Sequence, residues 1–238
     1  MINVLLYSGG LDSYIASYYL YLNKSLELLP IYVDLKTQYS KEELRHIKKQ
    51  TIANKSVIIL KDILNMRDLE EDISAYVPNR NLLLFSIVSS YINFSSRDQE
   101  ITIYTGGLKD DMVSDQNPDF YNATSSAISL SLNTNVQVKS AFNFEMTKQE
   151  IVDWFRDTLP NKANTLDKDT FSCYSPVNHK ECIGCKACFR KNVAIQDIVL
   201  REFHNNEILA EYKTKALNGE YDESRCKNIL RYIERIGA

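Results

Sequence analysis

The sequence predicts an α/β protein, a Rossmann-like parallel sheet with helices on both faces, followed by a cysteine-rich segment and a helical C-terminal region. Three observations predict it. Short apolar runs alternate with longer segments of helical periodicity from Ile2 to Asp157. The first apolar run ends in a glycine pair that opens a helix. Four of the five cysteines fall between Cys173 and Cys188, and from Asn192 onward the pattern is helical and rich in charge.

The elements follow in order. Ile2 to Tyr7, apolar except for Asn3, reads as a buried strand, and Ser13 to Leu22 reads as a helix. Leu28 to Val33 is a second strand that ends at Asp34. Lys41 to Ala53 is polar, with Leu44, Ile47 and Thr51 at helical spacing, and predicts a helix. Val57 to Leu60 is a third strand, and Asn79 to Phe94 a long, mostly apolar helix. Ile101 to Thr105 is a fourth strand running into Gly106-Gly107. Asp119 to Leu132 looks helical, Val136 to Val138 forms a short fifth strand, and Thr147 to Asp157 is an amphipathic helix with Ile151, Trp154 and Phe155. Near the end, Ile229, Leu230, Ile233 and Ile236 put an apolar stripe on one last helix, which suits an interface or packing on the core equally. The expected division is 1–165 for a nucleotide-binding α/β domain and 166–238 for the cysteine segment and helical tail. In such folds ligands bind at the carboxyl ends of the strands.

Composition narrows the function classes. The formal charge of −3 argues against a protein whose main task is gripping a nucleic-acid backbone, since phosphate neutralisation supplies most of that affinity. Met1 to Leu6 is too short for a signal-peptide core and lacks a basic flank. Leu82 to Ile92 is interrupted by Ser86, Ser89 and Ser90 and is too short to span a bilayer. The expected location is therefore cytoplasmic, with no membrane and no direct nucleic-acid partner. In a reducing compartment, clustered cysteines point to metal binding rather than disulfides.

Ser8-Gly9-Gly10-Leu11-Asp12-Ser13 follows the first strand and opens a helix. Two glycines let the backbone approach an anion closely. The serine hydroxyls can donate, and the helix start adds free N–H groups and a partial positive charge. Such a loop can cradle pyrophosphate, with Asp12 holding a Mg²⁺ ion between itself and the phosphates. It lacks the Gly-Lys-Ser/Thr of a Walker loop and the third glycine of the dinucleotide fingerprint. The plainer reading is a tight turn in which Asp12 or Ser13 caps the helix.

Cys173 is followed after eight residues by Cys182, then Cys185 and Cys188 at two-residue intervals. This spacing can wrap a tetrahedral ion, and a closed shell of four cysteines makes Zn²⁺ structural. Lys180, Lys186, Arg190 and Lys191 lie near enough in sequence to screen the thiolates. An iron–sulfur cluster uses similar spacings. His179 is an alternative ligand that more simply decorates the loop, and Cys226 stands apart.

The hexapeptide resembles the signature of the PP-loop ATP pyrophosphatases, which cleave ATP between the α and β phosphates and adenylate a substrate. Together with the cysteines it resembles the 7-cyano-7-deazaguanine synthase (QueC) family over about the first 195 residues. Tyr76 to Leu83 looks like the family's Val-Pro-Gly-Arg-Asn segment, Thr147 to Val152 like its Thr-Lys-x-Glu-Ile block, and Ser172 to Arg190 like its cysteine block. The resemblance implies an adenine nucleotide alpha hydrolase-like fold. It also implies an ATP-dependent C–N ligase that makes the nitrile from 7-carboxy-7-deazaguanine and ammonia. Ser8 to Ser13 and Asp34 would hold ATP. Asp12, Arg80 and Lys148 would serve catalysis, and Arg80, Asp111 and Asp115 the substrate. A homodimer is common in the family.

The chain also departs from that pattern. Asp34-Leu35-Lys36-Thr37-Gln38-Tyr39 replaces Asp-Tyr-Gly-Gln-Arg-His, and Gln116-Asn117 stands where the family carries Cys-Arg. The region beyond about Val193 is longer than the family leads one to expect. These departures raise an alternative, that the activated carboxylate is joined to another amine, such as one on a partner protein.

Overall fold

β1 (Ile2–Leu6) buries Val4 and Leu5 on opposite faces, which explains why four of its five residues are apolar. The computed structural model describes residues 1–52, 55–71, 75–96, 99–111 and 113–238. They form two compact units, Met1–Thr147 and Lys148–Ala238.

In the first unit, α1 (Leu11–Lys24) follows β1, and β2 (Leu28–Val33) leads to α2 (Ser40–Ile47). β3 (Thr51–Ile52), β4 (Lys55–Ser56) and β5 (Ile58–Leu60) come next, then a 3-10 turn (Arg67–Leu69) and α3 (Arg80–Ser95). β6 (Ile101–Thr105), α4 (Pro118–Leu132) and β7 (Val136–Ser140) complete the unit. The sheet is parallel throughout, in the order β5-β2-β1-β6-β7. Val4 of β1 lies beside Leu29 of β2 and Ile103 of β6.

Strand periodicity divides the sheet into two buried faces. Val4, Ile31, Val33, Ile101 and Ile103 join a core with Phe85, Val88 and Ile92 of α3 and Tyr121 and Ile128 of α4. The alternate residues Leu5, Leu28, Thr102 and Tyr104 are buried as well. α1 packs against β1 and β2 and contributes Leu11, Ile15 and Leu20 to the interior. Residues at the helix ends explain where α1 and α4 stop and start. Ser25 ends α1 in the left-handed conformation. Asn117 caps α4 by accepting from the Phe120 N–H, with Pro118 at the first helical position.

The strand and helix expectations hold to within a few residues, with one correction here. The helix expected over Lys41 to Ala53 ends at Ile47. Thr51 and Ile52, both β-branched, instead pair antiparallel with Lys55 and Ser56, while Ala53 lies outside the described residues.

The second unit holds α5 (Lys148–Thr158), the short α6 (Pro160–Ala163) and α7 (Leu166–Asp169), α8 (Lys186–Ile195), α9 (Asn206–Leu217) and α10 (Glu223–Arg235). Its core gathers Phe171, Cys188, Phe189, Phe203, Leu209, Tyr212, Ile229, Tyr232 and Ile233. The helical C-terminal region expected from Asn192 onward is present in α9 and α10, with a break between α8 and α9. α8 starts earlier, at Lys186, and ends at Ile195, and residues 199–205 are neither helix nor strand. The apolar stripe of α10 packs on this core: Ile229 and Ile233 are buried, and Leu230 and Ile236 lie against them. Among the described residues, no helix is long and apolar enough to cross a membrane.

Candidate functional site

The strand order reverses between β1 and β6, and in open parallel sheets that crevice is where ligands bind. Both loops leaving these strands are glycine-rich. After β1, Gly9 has φ +72°, a conformation a Cβ disfavours, and a Cβ there would stand 3.0 Å from Ile47 Cγ1. After β6, Gly106 lies so close to α1 that a Cβ would meet the Asp12 backbone carbon at 3.0 Å. The two loops therefore touch at Asp12, and only small residues allow it.

The hexapeptide folds on its own serines. Gly10 N–H donates to Ser8 Oγ at 3.3 Å, Ser8 N–H to Ser13 Oγ at 3.3 Å, and Ser13 Oγ to the Gly10 carbonyl at 3.2 Å. Gly10 is the N-cap and brings no side-chain cap, so the expectation that Asp12 or Ser13 caps the helix does not hold. Both lie inside the first turn. Tyr7, buried at the end of the strand run, donates its hydroxyl to Gln50 at 2.8 Å.

A second group sits beyond the tip of β2. Asp34 Oδ1 accepts from the Lys36 N–H at 2.9 Å. Arg80, the first residue of α3, donates to the Tyr39 hydroxyl at 3.3 Å. Glu43 of α2 accepts from the Tyr32 hydroxyl at 2.8 Å. Desolvation lifts the Glu43 carboxyl to about 7, against the opposing pull of the Tyr32 hydrogen bond and the Arg80 charge; Asp34 and Glu70 push it up further. Burial also pushes the Tyr32 phenol up, helped by the Glu43 charge.

Asp111 and Asp115 gather in the loop between β6 and α4. Asp111 accepts from the Leu108 N–H at 3.0 Å, and the Asp115 carbonyl accepts from Asn81, the neighbour of Arg80, at 3.3 Å. Both carboxylates act on Tyr121, whose phenol is pushed up chiefly by burial and donates to or accepts from Thr105 at 2.7 Å. Met112 lies outside the described residues. Lys148 opens α5 and belongs to the second unit.

In the second unit the thiols of Cys173, Cys182, Cys185 and Cys188 all lie within 4.8 Å of one another. A tetrahedral ion with metal–sulfur bonds near 2.3 Å sets its sulfurs about 3.8 Å apart, and Cys182 and Cys188 stand at 3.9 Å. The donor set thus fits one metal ion. Cys185 is the N-cap of α8. Hydrogen bonds from Cys173 and Cys188 hold its thiol far below the ordinary range, and the same sharing pushes Cys173 up to about 12 and Cys188 higher still. Three thiols crowded together thus favour a single thiolate, and a dication would take the place of the remaining protons. His179 is exposed and outside the group. Cys226 is half-buried on α10.

Around this centre the cations differ from expectation. Lys186 pairs with Glu211 at 2.9 Å, and Lys191 is buried among acids and carbonyls. Its ammonium meets Glu181 at 3.0 Å and the carbonyls of Thr170 and Asp167 at 2.8 and 3.1 Å. Glu181 Oε1 also accepts from the Ser172 N–H at 2.6 Å, and Oε2 from Arg201 at 2.6 Å. One carboxylate thereby ties the Cys173 arm to the Cys182 arm. Sequence reasoning did not single out Glu43, Glu181 or Arg201. The neighbouring Glu42 and Glu43 offered nothing to choose between them, and Arg201 lies in a segment without periodicity.

Comparison with known proteins places these residues in a family context. The family model described as queuosine biosynthesis protein QueC matches residues 33–199, a span that holds Asp34, Arg80, Asp111, Asp115, Lys148 and the four cysteines. It begins after the hexapeptide. A protein named 7-cyano-7-deazaguanine synthase 1 from Desulfitobacterium hafniense is 26% identical over 81% of this chain and 90% of its own length. One named 7-cyano-7-deazaguanine synthase from Archaeoglobus fulgidus is 27% identical over 94% of this chain and 97% of its own. That second alignment runs well beyond Val193, so the tail expected to be an addition is matched in at least this relative. A similarly named protein from Leptospira interrogans is 28% identical over 84% of this chain and 88% of its own.

Proposed function

The chain belongs to the queuosine biosynthesis protein QueC family, and from that premise we propose that it converts 7-carboxy-7-deazaguanine to 7-cyano-7-deazaguanine with ATP and ammonia. The observation that carries the proposal is the Ser8–Ser13 loop at the start of α1, set in the crevice where the sheet order reverses. The relatives' names supply the product.

The reaction has two activating stages. A carboxylate oxygen attacks the α-phosphorus of ATP, and pyrophosphate leaves. Ammonia adds to the acyl carbon, the C–O bond to AMP breaks, and the amide forms with loss of a proton. The amide oxygen then attacks a second ATP, and elimination of AMP leaves the nitrile. The balance is two ATP consumed and two AMP and two pyrophosphate released per nitrile.

The residues' parts follow from their chemistry. N–H groups and hydroxyls of Ser8 to Ser13 receive the departing pyrophosphate, and Asp34 holds the nucleotide. Arg80 pairs with phosphate or the substrate carboxylate, and Asp111 and Asp115 orient the deazaguanine. Lys148 adds positive charge to the leaving group. Asp12 is the residue to hold Mg²⁺, which when bound offsets phosphate charge. Cys173, Cys182, Cys185 and Cys188 hold Zn²⁺; a closed thiolate shell leaves no position for substrate, so that ion organises the fold. No protein nucleophile takes part, and the catalysis is placement and electrostatic stabilisation.

The test is incubation of the protein with ATP, magnesium, ammonium and 7-carboxy-7-deazaguanine, read by mass spectrometry. Appearance of the nitrile supports the proposal. Unchanged 7-carboxy-7-deazaguanine overturns it.

A further inference from the structure

Ile183 stands between two of the metal-ligating cysteines in a backbone conformation that its side chain opposes. Its φ is +53°, in the left-handed region that a β-branched residue rarely adopts, and Ile183 rather than the neighbouring Gly184 takes it. Such conformations persist only where the surroundings fix them. Here Cys182 and Cys185 flank the turn, and the Gly184 N–H donates to Cys182 Sγ at 3.4 Å. In this conformation the Ile183 carbonyl accepts from the His204 N–H at 3.1 Å.

His204 belongs to the irregular stretch 199–205 that precedes α9. That stretch meets the metal loop at two further points. Arg201 donates to Glu181 Oε2 at 2.6 Å, and Asn205 Cβ lies 3.9 Å from where a Cβ on Gly184 would stand. It also holds both terminal helices. Asn205 caps α9 by accepting from the N–H groups of Glu207 and Ile208 at 3.1 Å, and Tyr232 of α10 donates to the Arg201 carbonyl at 2.7 Å. The stretch is therefore bonded to the metal loop on one side and to α9 and α10 on the other.

We propose that Ile183 is a metal-held latch for the C-terminal helices: an ion on the four cysteines keeps its carbonyl aimed at His204, and loss of the ion loosens residues 199–238. The inference rests on the metal reading of the cysteines and not on the synthase reaction. The physical reason lies in what undocking relieves. With the ion bound, Cys182 and Cys185 hold Ile183 left-handed whether or not the stretch is docked, so undocking relieves nothing. Without the ion, undocking lets Ile183 return to negative φ, and that relief favours the open state. It corresponds to a rise of about five- to thirty-fold in the open population. The ring contacts of Phe189 with Phe203, Tyr212 and Tyr232 do not depend on the turn, so the helices loosen without leaving their core.

Hydrogen exchange of the full chain, resolved by segment, compares protein loaded with Zn²⁺ and the same protein stripped by a chelator; uptake of Zn²⁺ is checked first by competition with a chromogenic chelator. In wild type, α9 and α10 should exchange about five- to thirty-fold faster after stripping, while β1 and β6 of the first unit stay as they were. Two variants isolate the latch. Ile183→Ala and Ile183→Gly both lose the packing of the isoleucine side chain on the second unit's core, but only alanine keeps the cost of positive φ. Stripping should still speed exchange in Ile183→Ala and should change it little in Ile183→Gly. Equal acceleration in the two variants, no acceleration in wild type, or acceleration of the same size in β1 and β6 overturns the inference. A chain that takes up no Zn²⁺ overturns the metal reading of the cysteines and the inference with it.

Discussion

Replacing Glu181 by glutamine keeps the shape of the side chain and removes its charge, and the structure sets the size of the effect. The Glu181 side chain is 7% exposed and contacts Lys191, which is 1% exposed, and Arg201, which is 16% exposed. After the change, both cations share Asp167, which lies 2.8 Å from Arg201 and 3.3 Å from Lys191 and is itself 26% exposed. Breaking a buried ion pair costs about 3–5 kcal/mol. The glutamine oxygen still accepts one hydrogen bond, and Lys191 keeps two carbonyls, which lowers the expected loss to about 2–3 kcal/mol. For a chain of this size that is a fall in Tm of about 4–12 °C. Because Glu181 also receives the Ser172 N–H, the Cys173 and Cys182 arms lose a shared anchor. Affinity of the four cysteines for a metal ion, read by competition with a chromogenic chelator, should weaken about 10- to 100-fold, as for other residues that brace metal ligands. Glu27→Gln, on the exposed pair with Lys55, is the control and should leave the Tm unchanged. An unchanged Tm and metal affinity in Glu181→Gln would falsify the reading of Glu181 as a tie between the Cys173 and Cys182 arms.

Other outcomes follow from the same geometry. Gly9→Ala places a Cβ in the left-handed region and 3.0 Å from Ile47; it should cost about 1–2 kcal/mol in urea unfolding and weaken Mg-ATP binding by at least tenfold in calorimetry. Arg80→Lys keeps the charge but not the planar fork, and kcat/KM should fall by about 100-fold, on the scale of losing one transition-state donor. The pH dependence of stability has a worked sign. Glu43 is raised to about 7 in the folded state, so its contribution is present below the ordinary glutamate value near 4.3 and is lost as pH rises through about 7. Urea midpoints of Glu43→Gln relative to wild type should therefore rise between pH 5 and 8; a flat difference contradicts the burial of that carboxyl.

Much of this was legible in the sequence because the signals were local and periodic. Ile2 to Tyr7 announced a strand covered on both sides, and the structure buries Val4 and Leu5 on opposite faces. The cysteine spacing announced a four-sulfur cluster, and the thiols converge. The failures arose where tertiary pairing overrode periodicity. Thr51 fits a helical repeat after Leu44 and Ile47, but it and Ile52 gain a strand partner in Lys55 and Ser56. Lys191 read as a cation near enough to screen the thiolates because its acidic partners, Asp167 and Glu181, come from other parts of the fold. Glu43 was illegible for the same reason: Tyr32 bonds it from β2, and the charges of Arg80 and Glu70 act on it from separate segments. Ser8 to Ser13 was legible as a turn, but the role of Gly106 in meeting Asp12 depends on β6 lying beside β1.

The central claim is that the loop at the start of α1 receives pyrophosphate as a carboxylate is adenylated. Its most direct test is chromatography of the nucleotides after incubation with Mg-ATP and 7-carboxy-7-deazaguanine, with and without ammonium, alongside an assay of released pyrophosphate. The account predicts AMP and pyrophosphate in equal amounts, dependent on the deazaguanine, with two of each per nitrile when ammonium is present. Formation of ADP and orthophosphate, or no ATP consumption at all, would contradict it.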